Sequence, residues 1–501
     1  MQNGKRLASS EELKGKKNGS SGKKGKNSFL LRSLPVLLGL ALAAGIYFFS
    51  GQVNPPAEDA AAPTAAPDER VRLIDRPMEE VSEVSVERES TVYTVVRAES
   101  GGEGAGARHM LKERPDFDLD QGKAESMLSC AAHLTATRLV TDAAEDLSSY
   151  GLETPLARVT MRYTDGTETK WRIGDRAPTS TASYFMREGE RAVYLLYASA
   201  AESLSRERND MHTLSMPGEL KSDRIRNVVI QASGRDTLEI GYSEEGAADR
   251  EYSISALRLR QPFYYTANTE RGMQLFESVS ALGITSFAGM PDELSNTGLE
   301  DGNSRYRLTV TQTKTAENLT DTETFVFRVG NRTEDGKQVF IAVDSTPAVY
   351  LTDAGTVSFL EDATPAYLVD QFSNLIYINA VRSIELRAGA ESWVLEIDHG
   401  SDGKTADAFR VNGKTVEDAS AFRKLYQQII GLTSSRLSED YDLEGEVLLS
   451  VRYTLESGPD GLLVEYLDYD ADYCAVRRDG LTLFLMKKEQ LESLMDALHT
   501  F

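Results

Sequence analysis

The chain is poor in cysteine and histidine and, beyond its first fifty residues, short of positive charge. Two cysteines in 501 residues, Cys130 and Cys474, exclude a disulfide-dense scaffold, so stability must come from ordinary apolar cores. Cys130 falls in a predicted helix and Cys474 in a predicted strand. Nothing in the sequence brings them together, and buried free thiols are the simpler reading, with a bridge between them as the alternative. Of the five histidines, His109, His133, His212, His399 and His499, no two stand at zinc-ligand spacing on a helix, and there is no Gly-x-Ser-x-Gly elbow. No catalytic, cofactor or metal-ligating residue is therefore nominated.

The missing positive charge has a direction. Residues 1–50 hold nine Lys/Arg against Glu11 and Glu12, a net of +7, so the formal −23 of the chain leaves −30 for residues 51–501. A body this acidic is repelled by nucleic acid and anionic polymers and favours cations or basic partners, or is simply kept soluble by its charge.

What is present begins with an apolar segment, Ser33 to Phe49, which Phe29, Leu30 and Leu31 extend if Arg32 snorkels, enough to span a bilayer. Lysines on its N-terminal side alone predict a cytoplasmic tail (1–28), a transmembrane anchor (29–50) and an extracytoplasmic remainder. The alternative is a cleaved secretory signal using Ala41 and Ala43. It is weakened by the apolar run continuing through Ile46, Tyr47, Phe48 and Phe49. Residues 51–78, with Asn54-Pro55-Pro56 and the Ala/Pro stretch to Pro67, have no hydrophobic period and read as a semi-stiff spacer.

Beyond the spacer one pattern occurs three times. Tyr150-Gly151-Leu152-Glu153, Thr297-Gly298-Leu299-Glu300 and Tyr441-Asp442-Leu443-Glu444 each follow a predicted helix and precede alternating stretches. Those stretches begin Val159 to Tyr163, Tyr306 to Val310 and Leu449 to Tyr453. The period of roughly 130 to 150 residues is longer than a solenoid unit and predicts domains with their own cores. The helix faces are read as Leu128, Ala132, Thr135 and Leu139, then Leu275, Val279 and Leu282, then Phe422, Leu425, Ile429 and Leu432. Asp165-Gly166, Asp335-Gly336 and Asp479-Gly480 mark hairpin turns.

The fold class is thus α+β: three tandem repeat domains (79–216, 217–374, 375–501) of mainly antiparallel sheet, each with one packed helix and a short closing helix, after one N-terminal transmembrane helix. Each repeat is expected to open with two strands, and the closing helices are placed at Ala198 to Arg206 and Lys488 to Leu498. Tyr150-Gly151-Leu152-Glu153-Thr154-Pro155, Trp171-Arg172-Ile173-Gly174-Asp175, Ser183-Tyr184-Phe185 and Ala192-Val193-Tyr194 resemble the domain of unknown function 4340 family. The match is closest in the first repeat, looser at Phe327-Arg328-Val329-Gly330-Asn331, and degenerate in the third. The resemblance implies a bacterial, membrane-anchored protein found with ABC-type export systems related to those of gliding motility, and it supplies no catalytic residue.

Remaining clusters read as structural. Asp116, Asp118 and Asp120 start like a calcium loop, but Gln121 and Met127 stand where glycine and glutamate belong. Asp468, Asp470 and Asp472 are read as the wet face of an edge strand, with cation binding as the alternative. Gly101 to Gly106 lacks the ending of a phosphate loop and reads as a hairpin tip. Many tyrosines fall on strands, where they are either half-buried sheet residues or, if exposed together, a recognition face. The expected function is a membrane-anchored, extracytoplasmic, non-enzymatic interaction module. Its partners are the bilayer and a membrane or envelope protein such as an ABC transporter, with no cofactor and no nucleic acid. The alternatives are a carboxylate-based envelope hydrolase and an acidic cation or ligand sensor.

Overall fold

The computed structural model describes the chain from Arg70 to Phe501 apart from residues 90, 99–107, 179–180, 215, 245–246, 248–251, 301–303, 401–406, 439–442, 458–460 and 479. The basic tail, the anchor, the spacer up to residue 69, Gly101 to Gly106, Tyr441-Asp442 and Asp479 lie outside the described residues. Among the described residues no helix is long and apolar enough to cross a membrane. Residues 69–501 form one compact body.

That body contains three antiparallel sheets of nine strands each, and their wiring is the same. In the second sheet, strands Ile225–Ala232, Leu238–Tyr242, Leu257–Gln261 and Tyr265–Thr266 step outward from the middle as a meander. The chain then passes through helix Thr269–Ser280 to the opposite edge, where Ser286–Gly289 lies. Tyr306–Thr313, Thr322–Arg332, Gln338–Val343 and Val349–Asp353 step from the middle to meet it. The third sheet repeats this order from Val381–Ala388 to Leu481–Lys487 around helix Ala419–Ile430. The first does so with a leading meander of three strands, Val81–Arg88, Thr91–Arg97 and His109–Leu111, and with Val71–Arg72 added at the edge outside strand Thr135–Thr141. Even an irregularity recurs. The ladder between the two central strands slips at Val81/Glu83, Ile225/Asn227 and Val381/Ser383. Such bulges are designed features of a strand rather than defects, so their repetition marks the three sheets as copies of one plan.

Local chemistry explains the elements. In Ala157–Tyr163, Val159, Met161 and Tyr163 are buried while Arg162 is exposed, the alternation of a sheet with one wet face. Each repeat's main helix starts at a capping side chain. Asp120, Asn268 and Asp418 accept from the backbone N–H of Lys123, Arg271 and Ser420, each cap stabilising by about 1 kcal/mol. The helices bury Met127 and Leu128, Leu275 and Val279, Phe422 and Ile429.

Several expectations need correction. The first helix is Gln121–Ala132, so Thr135 and Leu139 belong to the edge strand that follows. Their spacing continues the helical period by coincidence, through a stretch whose β-branched threonines and valine suit a strand. The tetrads do not end the main helices, because an edge strand intervenes in every repeat; in the first, a short 3-10 turn, Ser148–Tyr150, leads into Gly151. The leading meander has three or four strands rather than two. The closing helices are Ala198–Leu204 and Glu489–Leu498. The three Asp-Gly pairs sit at different hairpins of the plan: Gly166 joins the first two strands of the trailing meander, Gly336 the second pair and Gly480 the last.

The cores are not separate. One continuous cluster of buried apolar residues runs from Ile74 to Leu498 through all three sheets, because aromatic side chains close the gaps where one repeat meets the next. Each repeat also has a small second core on the other face of its trailing strands: Leu152 with Met186 and Val193, Leu299 with Ala342 and Val349, and Leu443 against Leu467, Ala475 and Leu485. The three leucines of the tetrads therefore sit in equivalent places. Leu152 is fully buried and Leu443 partly so.

Candidate functional site

The residues that carry the sequence resemblance meet in space. Gly151 holds a left-handed φ of 66° and Gly298 the same, which glycine adopts without steric cost. Gly174 lies against this turn so closely that a Cβ would stand 2.2 Å from the Tyr150 carbonyl oxygen, and at Gly330 it would stand 2.0 Å from that of Thr297. The neighbouring Asn331 donates its backbone N–H to Thr297 O at 2.7 Å and its Nδ2 to Asn296 O at 2.9 Å. The strands slip here too, at Ile173/Arg176 and Val329/Arg332. The Gly-Leu turn and the Gly-Asp or Gly-Asn bulge are two halves of one backbone lock. In the third repeat, Gly445 instead approaches strand Leu462–Asp468, where a Cβ would lie 2.6 Å from Asp468 O. This accounts for the degenerate motif there: the lock is replaced by a different close approach of the backbone.

Buried polar groups occur within the repeats and also at the two junctions. Between the first and second repeats, the His212 ring stacks on Phe287 at 3.9 Å, with Phe117 edge-on to both and Tyr350 edge-on to His212. His212 Nδ1 donates to Thr213 O at 2.7 Å, and burial holds its pKa below the ordinary histidine value. Arg208 grips Glu293 with two bonds of 2.8 and 2.9 Å, and Arg114 reaches Glu293 at 3.0 Å. Paired guanidinium–carboxylate contacts of this kind fix register as well as adding energy. Between the second and third repeats, Tyr265 is edge-on to Phe484 at 5.0 Å. Its hydroxyl lies 3.1 and 3.0 Å from the carbonyls of Phe372 and Ser373. Ser373 Oγ meets Tyr466 OH at 2.8 Å, and Asn374 Nδ2 donates to Tyr453 OH at 2.9 Å. Burial raises both tyrosines' pKa values. Asp370 is buried beside this network, and its pKa is raised by that burial.

A surface cavity of about 1010 Å³ lies on the third repeat between strands Val381–Ala388, Glu391–Asp398 and Ala408–Val411 and helix Ala419–Ile430. It contains Ser383, His399 and Asp407, the residue types of a hydrolytic triad. The geometry does not suit that role. His399 Nε2 lies 3.0 Å from the Val381 carbonyl, so that nitrogen carries hydrogen and cannot accept a serine proton. Asp407 faces Nδ1 at 3.3 Å and also accepts from Arg423 at 3.1 Å. Arg382–Glu456 and Arg410–Glu396 complete a rim of mutually paired charges. No sequence motif signals this groove, because its residues come from four elements.

The other sequence candidates disperse. Asp116 pairs with Arg114, and Asp120 caps its helix. Asp468 ends a strand, while Asp470 accepts the backbone N–H groups of Asp472 and Tyr473 in the following turn. Lys488 donates to Asp468 and to the Asp470 carbonyl. The aspartates therefore make a turn, not a strand face. Tyr93, Tyr163, Tyr265, Tyr350 and Tyr453 are buried and Tyr264 is exposed, so these tyrosines serve cores and junctions. Cys130 is half-buried and Cys474 buried; both are free thiols.

Residues 110–302 match the family model described as Domain of unknown function (DUF4340). The span takes in the first two tetrads and the first complete backbone lock; it stops short of Gly330-Asn331, the second half of the second lock, and leaves out the third repeat. No curated protein matches the chain. Over residues 110–302 the chain is thus similar to the domain of unknown function 4340 family.

Proposed function

We propose that the chain is a membrane-anchored, extracytoplasmic interaction module without catalysis of its own, an accessory subunit of an ABC-type transport or cell-envelope complex. Segment 29–50 would hold it in the bilayer as a single pass with the N-terminus cytoplasmic, and residues 79–216, 217–374 and 375–501 would form its repeat domains. The observation that supports this reading best is that both junctions are tied by buried polar groups: His212, Ser373, Asn374, Tyr453 and Tyr466 join one repeat to the next. A body that uses buried polar groups to hold three copies of one sheet together is suited to presenting surface. Confinement to a membrane raises the effective concentration of such a surface beside its partner, so weak contacts suffice. The strong negative charge of residues 51–501 favours a basic partner over nucleic acid.

Protease added to intact cells or wall-stripped protoplasts should remove the body and leave the tail; full protection in an envelope that admits the protease would overturn the topology. Purified body should show no turnover of ester, peptide or glycan substrates. Turnover abolished by His399→Ala or Asp407→Asn would favour the hydrolase reading instead.

A further inference from the structure

Resting on the interaction-module reading, we propose that the first repeat carries a copy of the face by which the second repeat receives the first, left uncovered at Leu139 by the described residues. We infer further that this face docks a basic protein segment bearing an aromatic side chain. The equivalence is set by register. Edge strand Ser286–Gly289 pairs Phe287 with Tyr350 and Gly289 with Val349, slipping between them. Strand Thr135–Thr141, which carries Val71–Arg72 on its outer side at Ala136 and Thr135, pairs Leu139 with Tyr194 and Thr141 with Val193, slipping at the same place. Val193 and Val349 both pack in the small second core, as do Leu147 and Leu294 alongside it. Leu139 and Tyr194 therefore stand where Phe287 and Tyr350 stand. Counting back from Leu147 and Leu294, Glu145 and Asp146 stand where Asp292 and Glu293 stand.

What differs is the covering. Phe287 is 4 % exposed beneath Phe117 and His212, and Glu293 takes Arg208 and Arg114. Leu139 is 43 % exposed, Tyr194 is half-buried, and Glu145 and Asp146 are exposed. Hydrogen bonds from Ser148 and Ser149 hold the Asp146 carboxyl at a pKa of about 2, so it is charged throughout the working pH range. Arg138 is the one basic residue on the strand. The face is thus apolar with an acidic border, and its counterpart inside the chain shows what fits: an aromatic knob flanked by arginine. Both internal junctions use the residue three positions before a helix cap as that knob, Phe117 before Asp120 and Tyr265 before Asn268. The third repeat has Thr415 there, so a second copy of this chain has no spare knob to offer. That leaves a different, basic protein as the occupant.

The test places a photo-crosslinking phenylalanine analogue at position 139 of the full-length chain in the cells that make it. Leu319, 61 % exposed on the second repeat, serves as the control position. The expected result is a cross-link to a different protein, through a peptide with arginine within a few residues of an aromatic or histidine. Its yield should fall at least tenfold in Glu145→Lys and in Asp146→Lys. Testing both keeps the outcome readable if Asp146→Lys disturbs its own turn. Cross-linking to a second copy, yields unchanged by both charge reversals, or no product above the Leu319 control would each overturn the proposal. A membrane-protein cross-link from position 319 with none from 139 would remove this face and leave the interaction-module reading standing.

Discussion

Gly174→Ala tests the backbone lock, and its cost can be worked from the geometry. Gly174 has no left-handed φ to preserve, so the whole effect of an added methyl is steric. That methyl would sit 2.2 Å from the Tyr150 carbonyl oxygen and 3.0 Å from the Leu152 side chain. Backbone oxygen cannot swing aside as a side-chain tip can, so one strand must shift by about 1 Å, and overpacking of this kind costs about 1–3 kcal/mol. Gly330→Ala should cost the same, with Thr297 O at 2.0 Å. Gly122→Ala is the control of opposite sign. Its methyl would meet only Asp120 Oδ1 at 3.4 Å within helix Gln121–Ala132, and alanine there gains up to about 1 kcal/mol of helix propensity. The sequence has two tryptophans, Trp171 in the first repeat and Trp393 in the third. Urea unfolding followed by Trp171 fluorescence in a Trp393→Phe background therefore reads the first repeat. A Gly174→Ala midpoint at or above that of the parent, with Gly122→Ala raised as expected, would refute the lock.

Leu152→Ala removes a fully buried side chain and should cost about 2–5 kcal/mol, whereas Leu443→Ala, partly exposed, should cost less; denaturation of the two variants checks the order. Burial lowers the pKa of His109 and His212 in the folded chain, so the unfolded chain binds more protons. Their contribution to stability is present above about pH 6.5 and is lost as pH falls below it. Urea midpoints should drop between pH 7.5 and 5.5, and His212→Phe should flatten that slope. Asp370 has the opposite sign: its raised pKa means that its contribution is full below the unfolded carboxylate value and is lost as pH rises. Asp370→Asn, which can still accept from the Phe372 N–H, should raise the urea midpoint at pH 7 and leave it unchanged near pH 3. Gln121→Ala should cost about 1–3 kcal/mol, measurable by the same assay. The Gln121 amide bonds both the N–H and the C=O of His109 on the edge where the other two sheets have a fourth strand.

The sequence by itself determined what depends on neighbours along the chain. Alternation placed the first trailing strand of each repeat to within three residues at either end, since a half-buried strand imposes period two. The capping residues Asp120, Asn268 and Asp418 precede helices whose buried faces were legible in the second and third repeats. The tetrads announced the threefold plan. Two strands were not legible: the apolar spacing of Thr135–Thr141 continues that of the preceding helix, and Ser286–Gly289 has only four residues. Only tertiary structure decided what depends on partners far apart in sequence. Gly151 and Gly174 are two halves of one contact. Phe117, His212, Phe287 and Tyr350 gather into one junction, and Ser383, His399 and Asp407 share a groove without forming a triad. Nor could composition distinguish separate cores from a continuous one. That outcome rests on whether aromatic rings from successive repeats meet, a matter of where each chain segment lands after folding rather than of what it contains.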